Sequence, residues 1–131
     1  MKNLQTIKNP ASRKIAIYII SQNGHKIIDL DEIMYCKADS NYSEINLKNE
    51  KKIQISRSLC HLTNALSRFK FLRCNKSFLI NLSVKGSFNR HNRIVFFQHL
   101  EIKIPKARGK LVFPILTAFE FKERISIISK K

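Results

Sequence analysis

The amino-acid sequence predicts a mainly β fold of short antiparallel strands with one clear α-helix and short helical turns. Three observations carry this expectation. Apolar residues recur with a period of two through most of the chain, as in strands with one buried face. Turn-forming residues punctuate these runs at short intervals. Only one stretch, about residues 56–68, switches to the helical period.

Taken in order, Ile15, Ile17 and Ile19 alternate with smaller or polar positions. Asn23-Gly24 is a strong hairpin turn, so His25 to Leu30 is the partner strand. Asp31-Glu32 turns the chain into a strand from Ile33 to Ala38, and Asp39-Ser40-Asn41 is a polar loop. Tyr42 to Leu47 follows, with Ile45 and Leu47 alternating, and Lys48 to Lys51 turns into Lys52–Ile55. Ser56 or Ser58 caps a helix whose Leu59, Leu62 and Leu66 recur at i, i+3 and i+7, closing onto Phe69. Phe71-Leu72-Arg73 is extended, and Asn75-Lys76-Ser77 opens a short turn or helix that carries Phe78, Leu79 and Ile80 inward. Val84–Phe88 and Arg93–Phe97 form another hairpin around Asn89-Arg90-His91-Asn92. Leu100, Ile102 and Ile104 make a last strand, ended by Pro105. From Leu111 to Ile128 the chain is apolar enough to be ordered, but Pro114 is expected to interrupt any continuous helix from Arg108.

With 131 residues and 44% hydrophobic composition, the chain suits one domain with a real core. The expected organisation is a basic N-terminal extension (1–14), a domain over 15–112, and a C-terminal extension (113–131) that packs on the domain and ends in a basic tail. The formal net charge of +16 is more than any core requires and points to a polyanionic partner. It is also uneven. Residues 51–110 hold 14 basic residues and the single acidic Glu101, whereas residues 15–50 hold 3 basic and 6 acidic residues. A surface that tracks phosphates concentrates charge in this way.

Other function classes find little support. Cys36, Cys60 and Cys74 are odd in number, with no CxxC pair and no His at ligand spacing, so reduced thiols in a cytoplasmic protein are expected rather than disulfides or zinc. No metal and no cofactor is expected. His25, His61, His91 and His99 share no spacing with carboxylates or cysteines, and no nucleophile is paired with a base, so no catalytic residues and no enzyme are expected. The apolar run from Ile15 to Ile20 is far too short to span a bilayer, so no membrane partner is expected.

Four clusters have the chemistry to meet nucleic acid, each with a plain alternative as solvated loop. In Phe71–Asn81, Arg73, Asn75, Lys76 and Ser77 sit between apolar anchors, combining charge for phosphates with directional hydrogen bonds. Ile104–Lys110 places Lys106, Arg108 and Lys110 after a strand, and an Arg there suits bidentate contact with guanine. The loop Asp39–Ser43 offers Asn41 and Ser43, though such residues also make ordinary turns. Arg90-His91-Asn92-Arg93 is a basic hairpin tip suited to phosphate contact at most.

In this order the clusters resemble the LytTR DNA-binding domain of bacterial transcription regulators, from roughly Ile17 to Val112. Leu30 to Ala38 resembles the family's acidic turn and "I-x-Y-I-E-A" strand. Asp39 to Ser43 is close to "x-x-N-Y-T", and Ser58-Leu59 matches the start of its helix. Phe71–Asn81 stands against "F-x-R-x-H-R-S-F-I-V-N", and Ile104–Arg108 resembles "I-P-V-S-R". The resemblance implies an elongated all-β fold distinct from helix-turn-helix proteins, with loops entering successive major grooves and bending DNA at promoter repeats. It implies DNA-facing positions at Asn41, Ser43, Arg73, Asn75, Lys76, Ser77, Lys106, Arg108 and Lys110. Asn75 replaces the usual His, Lys76 stands where Arg or Asn is frequent, Lys37 replaces Glu, and Ala107 replaces Ser. These departures fall largely on the readers and bear on sequence preference more than on DNA binding.

The expected function is therefore sequence-specific binding of double-stranded DNA for transcriptional regulation. Further candidate partners are a second copy of the chain, as a dimer on repeated sites, and RNA polymerase. Members usually carry a receiver domain, so the chain is either a stand-alone regulator or an excised response-regulator output domain. The alternative is a small basic RNA-binding or ribosome-associated protein. RNA modules display stacking aromatics, whereas these phenylalanines mostly alternate into expected core faces. A basic nuclease is disfavoured because one carboxylate in residues 51–110 builds no metal site.

Overall fold

Alternation of apolar and polar residues produces twelve strands in the computed structural model, which describes residues 4–21 and 24–125. The chain divides into two units, residues 1–81 and 82–131.

The first unit holds two antiparallel sheets. β1 (Leu4–Lys8), β2 (Ile15–Ser21) and β3 (Gly24–Asp29) form one, in that order. β4 (Ile33–Asp39), β5 (Tyr42–Leu47), β6 (Lys52–Ile55), β7 (Phe71–Arg73) and β8 (Phe78–Asn81) form the other, ordered β6-β5-β4-β8-β7. The hairpin of β2 with β3 was expected, and Asn23, on which its turn was placed, lies outside the described residues. β1 was not expected. It falls in the supposed N-terminal extension and pairs with β2 through Leu4↔Ile19 and Thr6↔Ile17.

Helix α1 (Leu59–Leu66) is capped by Ser58, whose hydroxyl accepts from the His61 N–H at 3.4 Å. It is shorter than the expected 56–68, and a tight turn at Ser67–Phe69 follows, closed by Lys70 at φ 69°. Leu59, Leu62 and Leu66 point from it into a core shared by both sheets, among Ile17, Ile19, Ile28, Ile33, Ile45, Ile55 and Leu79. Each such side chain contributes about 1.5–3 kcal/mol by leaving water. All three cysteines are free thiols. Cys36 and Cys74 are buried and Cys60 is exposed, and burial pushes the Cys36 thiol well above its ordinary pKa.

The second unit is a four-stranded sheet, β11-β10-β9-β12, with one helix. β9 (Ser87–Asn89), β10 (Ile94–Phe97) and β11 (Leu100–Lys103) are antiparallel, while β12 (Lys122–Glu123) runs parallel to β9. α2 (Gly109–Ala118) supplies Val112, Phe113 and Leu116, and Phe113 stacks on Phe88 at 5.4 Å.

The helix corrects the expectation that Pro114 interrupts it. Proline removes one amide donor, and the acceptor deprived of it is the carbonyl of Lys110 in the first turn. Both residues are exposed, so the lost bond lies at the surface of the helix rather than in the core.

Gly86 shows how closely the second unit is packed. A Cβ there would lie 2.4 Å from the Phe96 carbonyl oxygen and 3.1 Å from Phe121 Cε2. Gly86→Ala is expected to cost about 1–3 kcal/mol through forced backbone shift, read as a lower urea midpoint. An unchanged midpoint would show that β9 has room to move.

Candidate nucleic-acid interface

Strand register brings the expected residues of the first unit to one end of its five-stranded sheet. β4 ends at Asp39, turns through Ser40 (φ 56°) and Asn41, and returns as β5 from Tyr42. β8 begins with Phe78 opposite Lys37, so the loop 74–77 lies beside that turn. β6 ends with Ile55 opposite Ser43, which brings the link 56–58 to the same end. The Ala38 N–H donates to the Ser77 carbonyl at 2.9 Å and ties the loop to the sheet.

Within this end the side chains divide between holding and presenting. The Asn75 carbonyl oxygen Oδ1 accepts from the Ser77 and Phe78 amides at 2.7 and 3.0 Å, so this side chain shapes the loop. Arg73 is half-buried and forks across three acceptors. Its Nε donates to the Asn75 carbonyl at 2.7 Å, Nη2 to the Lys76 carbonyl at 3.0 Å, and Nη1 to Thr63 Oγ1 on α1 at 3.1 Å. Asn41 and Lys76 are exposed and Ser77 is half-buried.

Ser43 must be corrected. It is fully buried, and its hydroxyl donates to the Arg57 carbonyl at 2.7 Å, so it presents nothing to a ligand. The period of two places Ser43 on the same face as Ile45, a pattern already visible in the sequence. Arg57 itself was missed. It sits half-buried in the link before the Ser58 cap, and only the fold brings its backbone against Ser43.

The acidic residues are split between the two ends of this sheet, with Asp39 and Glu44 at the Asn41 end. Asp31 and Glu32 precede β4, and six residue steps put them about 20 Å from its Asp39 end. Asp31 accepts from Lys14 at 2.9 Å, and buried Asp29 accepts from Asn9 and Ser12 at 2.8 and 2.9 Å. Asp29, Asp31 and Glu32 are thus held away from Asn41 and Lys76, whereas Asp39 stays beside Asn41.

In the second unit, Lys106 and Arg108 lie in a tight turn after Pro105, closed by the Arg108 amide donating to the Pro105 carbonyl at 2.9 Å. Lys110 follows in the first turn of α2. Lys106 and Lys110 are exposed and Arg108 is half-buried. The tip Asn89–Arg93 joins them, because Ile94 pairs with Lys103 and the Ile104 amide donates to the Arg93 carbonyl at 2.9 Å. Arg90 is engaged within the unit, 3.1 Å from Glu123 and over the Phe88 and Phe113 rings.

Helix stability does not explain this arrangement. A helix N-terminus carries partial positive charge and favours Asp or Glu, yet the first turn of α2 has no acidic residue and cations surround it. The same cluster of cations suits an anionic ligand.

Among the described residues no group of three His, Cys, Asp or Glu is placed to hold a metal, and no helix is long and apolar enough to cross a membrane.

Comparison with known proteins bears on the family and the fold. The model of the LytTr DNA-binding domain family matches residues 23–113. A solved LytTr DNA-binding domain from a Bacillus cereus protein aligns with a TM-score of 0.60 at 17% identity, covering 88% of this chain and 98% of that one. A search of curated proteins returned no match.

Proposed function

This chain belongs to the LytTr DNA-binding domain family, a DNA-binding domain of transcription regulators, and from that premise we infer that it reads duplex promoter DNA with two basic surfaces. One surface is the sheet end of Asn41, Lys76 and Ser77, held by Arg73 and Asn75. The other is the α2 entrance of Lys106, Arg108 and Lys110. The observation that carries this assignment is the gathering of three cations, with no acidic residue in the first turn, at the start of α2. The domain spans residues 15–112, with β1 and the rest of α2 supporting its sheets.

Phosphate contacts supply affinity and position, and base contacts supply choice. Lys76, Lys106 and Lys110 suit the first task, and Asn41 and Arg108 the second. We read the chain as a cytoplasmic binding protein without catalysis or cofactor, acting as a dimer on repeated sites and meeting RNA polymerase there. The RNA alternative is not favoured.

Selection of bound sites from a random duplex library, with single strands and RNA as competitors, tests this reading. Enrichment of duplex repeats is expected, and enrichment of RNA or single strands would overturn it. On the selected site, Arg108→Ala is expected to cost about 1–3 kcal/mol if Arg108 reads a guanine. An equal loss on scrambled duplex would reduce it to a phosphate contact.

A further inference from the structure

We propose that the groove between β3 and β6 takes an extended acidic peptide segment of a partner protein as an added strand. The groove has a volume of about 740 Å³ and is lined by residues 26–28 of β3 and 51–54 along β6. Successive side chains of a strand point to opposite faces, so a groove lined by consecutive residues is bounded by strand edges. Both strands are edges. β3 pairs only with β2 and β6 only with β5, and no other backbone hydrogen bond reaches residues 26–28 or 52–54 among the described residues. Each edge offers N–H and C=O groups that a further strand satisfies.

Charge selects the occupant. Lys26, Lys51 and Lys52 line the groove with no carboxylate, and none of them is in an ion pair among the described residues. Lysines on an edge repel a second copy of a chain that carries +16. They attract a strand bearing Asp or Glu. Ile27 is 42% exposed and Tyr42 is 46% exposed, so apolar side chains between the acidic ones find contact at the groove walls. A phosphodiester backbone lacks the alternating donors and acceptors that pair with a strand edge, which favours a peptide over DNA here.

The probe is a fluorescein-labelled peptide alternating valine and glutamate, about eight residues long. Saturable binding is expected, with slowed amide exchange at residues 26–28 and 52–54. Binding should weaken at least about tenfold when alternate peptide nitrogens are methylated, because one ladder edge is then lost while charge is unchanged. The variants K26E and K51E/K52E, whose sites are exposed, should weaken it similarly. Absence of binding at millimolar peptide would overturn the proposal, as would indifference to methylation, which marks mere charge attraction. So would a loss of nonspecific duplex affinity in K51E/K52E equal to the loss of peptide affinity, since the groove would then track phosphates.

Discussion

Duplex affinity is expected to fall about a thousandfold between 50 and 200 mM salt, with log K declining against log[salt] at a slope of about −5. That slope corresponds to about six phosphates neutralised. The structure supports such a number because the cations of residues 51–110 divide into two groups. Arg73 is spent on its loop, Lys85 donates to the Phe119 and Leu82 carbonyls, and Arg90 is paired with Glu123. Of the 14 basic residues in that segment, at least these three are committed to the fold, so at most eleven are left for phosphate. About half of those contacting phosphate gives the stated slope. Fluorescence anisotropy titrations at four or five salt concentrations measure it directly. A flat response would remove phosphate contact as the source of affinity. A slope much steeper than −10 would mean that both basic surfaces, and the groove lysines too, follow the backbone.

The same division of cations shows where sequence reasoning reaches its limit. Composition located the charged segment, and turn chemistry located its loops, because both are local properties of the chain. Whether a given Arg points outward depends on its acceptors, and some of those come from residues farther along the chain. Arg73 meets Thr63 of α1, and Arg90 meets Glu123, 33 residues away. No local pattern encodes either pairing. Strand periodicity alone puts Ser43 with Ile45 on the buried face, despite the polar loop beside it. β1 left a weaker trace. It is an edge strand with only Leu4 and Ile7 as large apolar residues, held largely by its pairing with β2. Pro114 did not break the helix, because the bond it removes falls in the first turn between two exposed residues.

Arg73 separates holding from reading most sharply. Arg73→Ala is expected to lower duplex affinity by about 2–4 kcal/mol, thirtyfold to nearly a thousandfold, while the chain still folds. The loss comes from order. Without the guanidinium, the carbonyls of Asn75 and Lys76 lose their shared donor, and the segment 74–77 must be ordered on binding at about 1 kcal/mol per residue. Folding stability should drop by about 1.5–3 kcal/mol, the usual loss for hydrogen bonds from a charged group. Arg73→Lys is not expected to rescue binding, because an ammonium is a point donor and cannot span the two carbonyls and Thr63 Oγ1 together. Two further measurements distinguish this role from direct phosphate contact. Amide exchange in residues 75–78 should quicken in the free variant, and the salt slope should stay unchanged. A phosphate contact would instead leave exchange as it was and reduce the slope by about one. Lys76→Ala provides the reverse case, since Lys76 is exposed: normal exchange, a slope smaller by about one, and similar losses on every duplex sequence. If both variants behaved alike, the loop would be a uniform phosphate clamp and Arg73 one of its contacts.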